Sequence, residues 1–218
     1  MMSSSSTSGS VGLVRFHEAE CRFVRVEDNK LQTIVNLSMQ EMLSGSKAKR
    51  HAKTQANTRV LVIADNSYSM SDSMNALNSG ICDIYRTCCE AKLGAFHLVY
   101  FNDKLEEMDL TEAEGIDAVC DKIMHAGPNG CTDFDIVVDR LAREIDAAME
   151  VSTAKPDEQH QLYLVVMTDG VASMPSDDRF QALSSAVEKF NSASKIGNEC
   201  CKFMVMVLLL ETSNKDVG

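Results

Sequence analysis

Val60-Leu61-Val62-Ile63-Ala64-Asp65-Asn66-Ser67-Tyr68-Ser69-Met70 joins an unbroken apolar run to an alternation of oxygen-bearing side chains. A run of branched apolar residues with no polar break predicts a strand covered on both faces, not a half-exposed one. Asp65, Ser67 and Ser69 then leave the strand end at alternate positions, offering one carboxylate and two hydroxyls. That donor set suits a hard divalent cation such as Mg²⁺, which takes oxygen ligands and keeps several waters.

Downstream, Met74, Leu77, Ile81, Ile84, Tyr85 and Cys88 recur at helical spacing and predict a helix over 72–92. A strand follows at Phe96–Phe101, then a turn at Asn102-Asp103-Lys104 and a short polar strand ending near Asp109. Thr111 with Glu114 forms a capping box for a helix reaching Met124. His125 to Thr132, with two glycines and a proline, reads as a loop. Phe134, Val137, Leu141, Ile145 and Ala148 mark a further helix to about Glu150. After a linker over 152–160, a second buried strand, Leu162–Met167, ends in Thr168-Asp169-Gly170. Ser176 is a good N-cap for a helix bearing Phe180, Leu183, Val187 and Phe190, and Phe203–Leu210 is a third buried strand. Strands alternating with helices predict an α/β fold: a doubly wound, mostly parallel open sheet with helices on both faces. In such sheets ligands gather outside the carboxyl ends of the strands.

Upstream, residues 1–11 read as a disordered serine-rich lead, and 12–40 as a β-hairpin preceding the main domain. Val24 and Val26 close its first strand, Glu27-Asp28-Asn29-Lys30 makes the turn, and Leu31, Thr33, Val35, Leu37 and Met39 line the second. Residues 41–58, with Lys47, Lys49, Arg50 and Lys53, read as a solvated basic linker. The main domain is expected over 59–218.

The chain of 218 residues suits one core, and its 44% hydrophobic and 24% charged residues are ordinary for a soluble globular protein. The longest apolar run, Phe203–Leu210, is far short of the ~20 residues a membrane span requires. A net charge of −11 disfavours nucleic acid and anionic membranes as partners. Eight cysteines without an apolar leader point to a reducing, cytoplasmic compartment in which they pack as small apolar groups. No zinc-type CxxC pairing and no GxxxxGK[ST] phosphate loop occurs in the sequence.

Asp65-x-Ser67-x-Ser69, a loop threonine in Gly130-Cys131-Thr132-Asp133, and Thr168-Asp169-Gly170 follow one another in order, with Phe101-Asn102-Asp103 after the second main-domain strand. Together they resemble the metal-ion-dependent adhesion site of the von Willebrand factor type A domain, over about residues 59–210. The resemblance implies a Rossmann-like fold in which Asp65, Ser67 and Ser69 hold Mg²⁺ (or Mn²⁺). It assigns Thr132 to the metal in the ligand-bound form, and Asp169 often through a water. A carboxylate from a protein partner would complete the coordination. The implied function is a divalent-cation-dependent protein-binding module of the interaction or adhesion type, not an enzyme, with Tyr68, Asn129, Cys131, Asp133 and His125 as its partner-binding rim.

Tyr68 stands where most of the family has glycine, and Asp-x-Ser-Tyr-Ser-Met resembles the variant in integrin β-subunits. Asp72 lies where those subunits place a second-metal ligand, with Ser73 in place of the accompanying acid. The family usually continues past the third buried strand with a further strand and a closing helix. Two alternatives remain open. One is a metal-free scaffold domain of an intracellular complex, since Asp and Ser side chains at such a turn can instead satisfy backbone groups. The other is a metal-dependent hydrolase or phosphoryl-transfer enzyme, which by a covalent route would need a nucleophile beside a positioned base. Of the five histidines, His125 is the one near the loop.

Overall fold

The unbroken apolar runs become the inner strands of one sheet. The computed structural model describes residues 12–16, 19–27, 57–110, 115–155, 160–169, 176–195 and 201–211. In chain order the strands are β1 (Gly12–Phe16), β2 (Ala19–Glu27), β3 (Thr58–Asp65), β4 (Ala95–Phe101), β5 (Leu105–Met108), β6 (His160–Thr168) and β7 (Cys201–Glu211). The helices are α1 (Met74–Glu90), α2 (Ile116–Met124), α3 (Phe134–Ala154) and α4 (Asp177–Lys195), with a 3-10 turn at Tyr68–Asp72 between β3 and α1. Across the sheet the order is β1-β2-β7-β6-β3-β4-β5. The inner pairings β2–β7, β7–β6, β6–β3 and β3–β4 are parallel, and the edge pairings β1–β2 and β4–β5 are antiparallel.

Both faces of β3 are covered, which is why its sequence shows no alternation. Val60, Val62 and Ala64 enter a core with Leu77, Ile81 and Ile84 of α1 and Val119 and Ile123 of α2. Leu61 and Ile63 point the other way, into a core with Val137, Leu141 and Ile145 of α3 and Ala186 of α4. The expected mixed α/β architecture, mostly parallel with helices on either face, is therefore what forms. From β3 the chain moves first to β4 on one side and later to β6 on the other. The strand order thus reverses between β3 and β6, and such switch points at the carboxyl edge are where parallel sheets take ligands.

At the start of the chain the structure differs from expectation. The antiparallel hairpin joins 12–16 to 19–27, with Phe16 opposite Ala19 and Gly12 opposite Phe23. Residues 12–26, expected as one strand, thus hold two, and Glu27 is the last residue of β2; the rest of the expected turn, 28–30, lies outside the described residues. The reason is tertiary: β2 runs parallel to β7 from Cys21–Val205 to Glu27–Glu211, so pairing with a distant strand extends it through Glu27. The expected second strand over 31–39, and the basic residues Lys47, Lys49, Arg50 and Lys53, lie outside the described residues. So does the capping box at Thr111 and Glu114; α2 begins at Ile116, after Gly115. Helix α3 runs on to Ala154, past the expected end at about Glu150.

At the amino end of β3, Arg59 and Arg140 close on the buried Glu144 of α3, at 2.8 Å and 2.9 Å. His97 of β4 belongs to the same neighbourhood. Burial, then the charge of Arg59, lowers its pKa from the ordinary 6.5, with Arg140 acting in the same direction and Glu107 and Glu144 opposing. A histidine that is harder to protonate folded than unfolded loses stability for the fold as pH falls through 6.5 towards the folded value. His97→Gln should therefore flatten the decline in urea midpoint between about pH 7.5 and about pH 5.5. An unchanged slope would place the proton uptake elsewhere.

Candidate metal centre

Asp65 is the last residue of β3, level with Phe101 of β4, and one step beyond the Ala64–Met167 pairing with β6. The parallel register thus brings it opposite Thr168 at the end of β6. The Thr168 hydroxyl donates to Asp65 Oδ2 at 2.7 Å, and the Ser67 backbone N–H donates to Asp65 Oδ1 at 2.9 Å. Asp65 is wholly buried, and Ser67 nearly so. Burial is the largest influence on the Asp65 carboxyl and raises its pKa above the usual carboxylate value. The hydrogen bonds from Ser67 and Thr168 oppose that rise, and the nearby charge of Asp169 adds to it. Two carboxylates, one deeply buried, therefore lie at the adjacent carboxyl ends of β3 and β6.

Ser67 and Ser69 flank Tyr68 at the start of the 3-10 turn, and their hydroxyls lie 3.0 Å apart, hydrogen-bonded to each other. The Tyr68 side chain is 65% exposed, standing out into solvent between them. Its backbone is fixed from below, because the Tyr68 N–H donates to the Gly130 carbonyl at 3.1 Å.

That bond is one of several stitching the loop between α2 and α3 to the end of β3. The Asn129 N–H donates to the Asn66 carbonyl, and the Asp133 N–H donates to the Asn102 carbonyl at 2.8 Å. Thr132, half-buried, is bracketed between the Gly130 and Asp133 anchor points. Asn102 is wholly buried; its Nδ2 donates to Asn66 Oδ1 at 3.2 Å and its Oδ1 accepts the Lys104 N–H at 3.0 Å. The Phe101-Asn102-Asp103 corner thus ties together the ends of β3 and β4 and the Thr132 loop. An edge contact between Phe101 and Phe134, ring centroids 5.4 Å apart, holds the first turn of α3 against β4.

Gly130 has φ +69°, and a Cβ there would meet Asp103 Oδ1 at 3.1 Å and Asn102 Cβ at 3.2 Å. Both the left-handed backbone and the close approach call for glycine. Gly130→Ala should cost about 1–2 kcal/mol, read as a lowered urea midpoint; a neutral outcome would mean the loop does not hold this conformation in solution.

Among the rim residues, Asn129 and Cys131 are exposed on this loop. Asp133 caps α3, accepting the Asp135 N–H at 2.9 Å, so its carboxylate serves the helix start. Asp135 in turn accepts the Ser176 N–H at 2.8 Å, linking α3 to the start of α4. His125 ends α2, and its Nδ1 donates to the Asp121 carbonyl at 2.6 Å, engaging its own helix. Thr168 was not among the expected site residues, although it bonds Asp65 directly; its place beside Asp169 at the end of a buried strand was the available signal.

Among the described residues no three His, Cys, Asp or Glu side chains gather as a metal-binding group. The oxygens here are two carboxylates with hydroxyls, a hard-cation set instead of a zinc set. Cys82, Cys88 and Cys120 are buried free thiols in the α1–α2 layer, Cys89 is half-buried and Cys131 exposed. Burial pushes the Cys88 thiol up to about 12, far from the thiolate a soft metal would need. Among the described residues no helix is long and apolar enough to cross a membrane. The sequence matches no protein-family model and no curated protein.

Proposed function

We propose that this chain is a divalent-cation-dependent protein-binding module with a doubly wound, Rossmann-like fold of the von Willebrand factor A type. The observation that carries the reading is the pair of hydroxyl oxygens of Ser67 and Ser69, 3.0 Å apart beside the buried Asp65 carboxylate. Ligands at ~2.1 Å in an octahedron leave neighbouring oxygens about 3.0 Å from one another, so these two hydroxyls already have the spacing of adjacent ligands. The proximity of Asp65 and Asp169 fits as well, because a divalent ion would neutralise two carboxylates that otherwise repel each other.

Asp65, Ser67 and Ser69 would hold Mg²⁺ or Mn²⁺, with Asp169 and Thr132 completing the protein's share. When bound, the cation supplies electrophilicity towards one further anionic oxygen, which an acidic residue of a protein partner would provide. Asp65 keeps its place through Ser67 and Thr168, and the Tyr68–Gly130 bond sets the turn against the Thr132 loop. The reading assigns no reaction: His125, the histidine nearest the loop in sequence, is occupied with Asp121. The buried free thiols suit a reducing, cytoplasmic compartment.

One observation favours a metal-free scaffold instead. The Ser67–Ser69 bond, with the two bonds to Asp65, is also how a turn satisfies its own polar groups. Titrating Mg²⁺ and Mn²⁺ while following thermal unfolding separates the two. A cation that binds the native state stabilises it by about 2.7 kcal/mol at one hundred times its Kd. A wild-type protein that gains nothing over EDTA would leave the scaffold reading in its place.

A further inference from the structure

We infer that Asn78, on the buried face of α1, is a positioning residue for the loop that carries Thr132. The inference deepens the cation-site reading and rests on it for its functional meaning, though its structural part stands alone. Asn78 occupies a core position, in line with Met74, Leu77, Ile81 and Ile84, and is 1% exposed. An amide there is costly unless each of its polar atoms is bonded, and an apolar residue of the same size would pack without that demand.

Both ends of the amide are used. Its Nδ2 donates to the Ala126 carbonyl at 2.9 Å, and its Oδ1 accepts the hydroxyl of Tyr100 at 3.0 Å. Tyr100 is buried near the end of β4, so its hydroxyl satisfies the amide oxygen while the amide nitrogen holds the loop. Ala126 is the near end of the segment whose later residues bond the cation turn: Asn129 to Asn66, Gly130 to Tyr68, and Asp133 to Asn102. Thr132 thus sits on a span pinned at its far end by the β4 corner, in the middle by the cation turn and at its near end by Asn78. With the near end released, the Asn129 and Gly130 bonds to the cation turn alone hold the approach to Thr132; these bonds then open more often, and a ligand misplaced by a fraction of an ångström binds a small octahedral cation poorly.

The test compares Asn78→Leu and Asn78→Asp with Tyr100→Phe in the full chain. Leucine removes both bonds; aspartate keeps the acceptor for Tyr100 but in its ionised form cannot donate to the Ala126 carbonyl, so exchange is followed at alkaline pH. Tyr100→Phe keeps the bond to Ala126. Hydrogen exchange in EDTA reads the amides of Tyr68, Asn129 and Asp133, with Val62 and Val165 reporting whether the sheet is intact. The loop amides should exchange at least tenfold faster in both Asn78 variants and at the wild-type rate in Tyr100→Phe. Val62 and Val165 should be unchanged in all three; if the leucine variant loses them, the aspartate variant decides. The Mn²⁺ Kd should rise about tenfold in the Asn78 variants alone, the scale expected when a group supporting a metal ligand is lost. Wild-type protection of the loop in a folded Asn78 variant overturns the inference, and so does an unchanged Kd where the wild type binds Mn²⁺. A wild type that binds no Mn²⁺ instead defeats the cation reading, and the exchange rates then judge Asn78 alone.

Discussion

Asp65→Asn is expected to make the cation-free protein more stable and, at the same time, to abolish its response to Mg²⁺ and Mn²⁺. Two effects compete in the metal-free state. The carboxylate accepts two hydrogen bonds, from Ser67 and Thr168, and bonds to a charged acceptor contribute about 1.5–3 kcal/mol against about 1 kcal/mol for neutral ones. Against this stand its complete burial and the charge of Asp169, and burial is the larger influence on the group. Asparagine has the same shape, can still accept from Ser67, and can donate to the Thr168 oxygen. The balance should favour the variant by on the order of 1 kcal/mol, or about 2–4 °C in a domain of this size. The cation arm runs the other way, since the amide cannot neutralise a divalent ion. At one hundred times the wild-type Kd, the wild type should gain about 2.7 kcal/mol and the variant close to nothing. A variant that still responds as the wild type does would remove Asp65 from the cation site. A variant destabilised in EDTA would mean that the hydrogen bonds outweigh the buried charge.

Leu61→Ala, four residues earlier on the same strand, should behave in the opposite manner. Leu61 is fully buried, level with Leu164 of β6 and His97 of β4, in the core beneath α3. A leucine-to-alanine change in such a position costs about 2–5 kcal/mol, because the neighbours do not collapse fully into the space. Total stability for a domain is about 5–15 kcal/mol, so the loss should be visible as a large fall in urea midpoint with an unchanged slope. The increment produced by Mg²⁺ should persist at temperatures where the variant is folded, since no oxygen donor has been touched. A cost below about 1 kcal/mol would contradict tight packing between β3 and α3. Measured together, the two variants separate what the strand does for the core from what its end does in the proposed cation site.

Much of the α/β architecture could be read along the chain because burial on two faces writes itself into sequence as unbroken apolar runs. Val60–Ile63 and Leu162–Met167 could be placed as inner strands for that reason, and α1 and α3 from their helical spacing. The hairpin at the start could not be placed as well. Residues 19–27 pair with β7, a partner nearly the whole chain away, and no local pattern carries that information. The break between β1 and β2 carries no strong turn signal, so 12–26 looks like one strand when taken alone.

The candidate site divides in the same way. Asp65, Ser67 and Ser69 were legible because their spacing is local, and Asp169 because it leaves a recognisable strand end. The Thr168–Asp65 bond depends on the register of β6 against β3, and the bracketing of Thr132 depends on backbone bonds from Asn66, Tyr68 and Asn102. The role of Asn78 was hidden more deeply. A polar residue on an apolar helical stripe signals that something must satisfy it, but only the folded chain identifies Tyr100 and Ala126 as the partners. Short-range chemistry alone therefore set which residues could be strands, helices and oxygen donors, since periodicity and side-chain type are properties of neighbours in the chain. Which donors meet, at what spacing, and what holds them there were decided by the parallel register of β3, β4 and β6, because hydrogen bonds between strands join residues that the sequence keeps far apart.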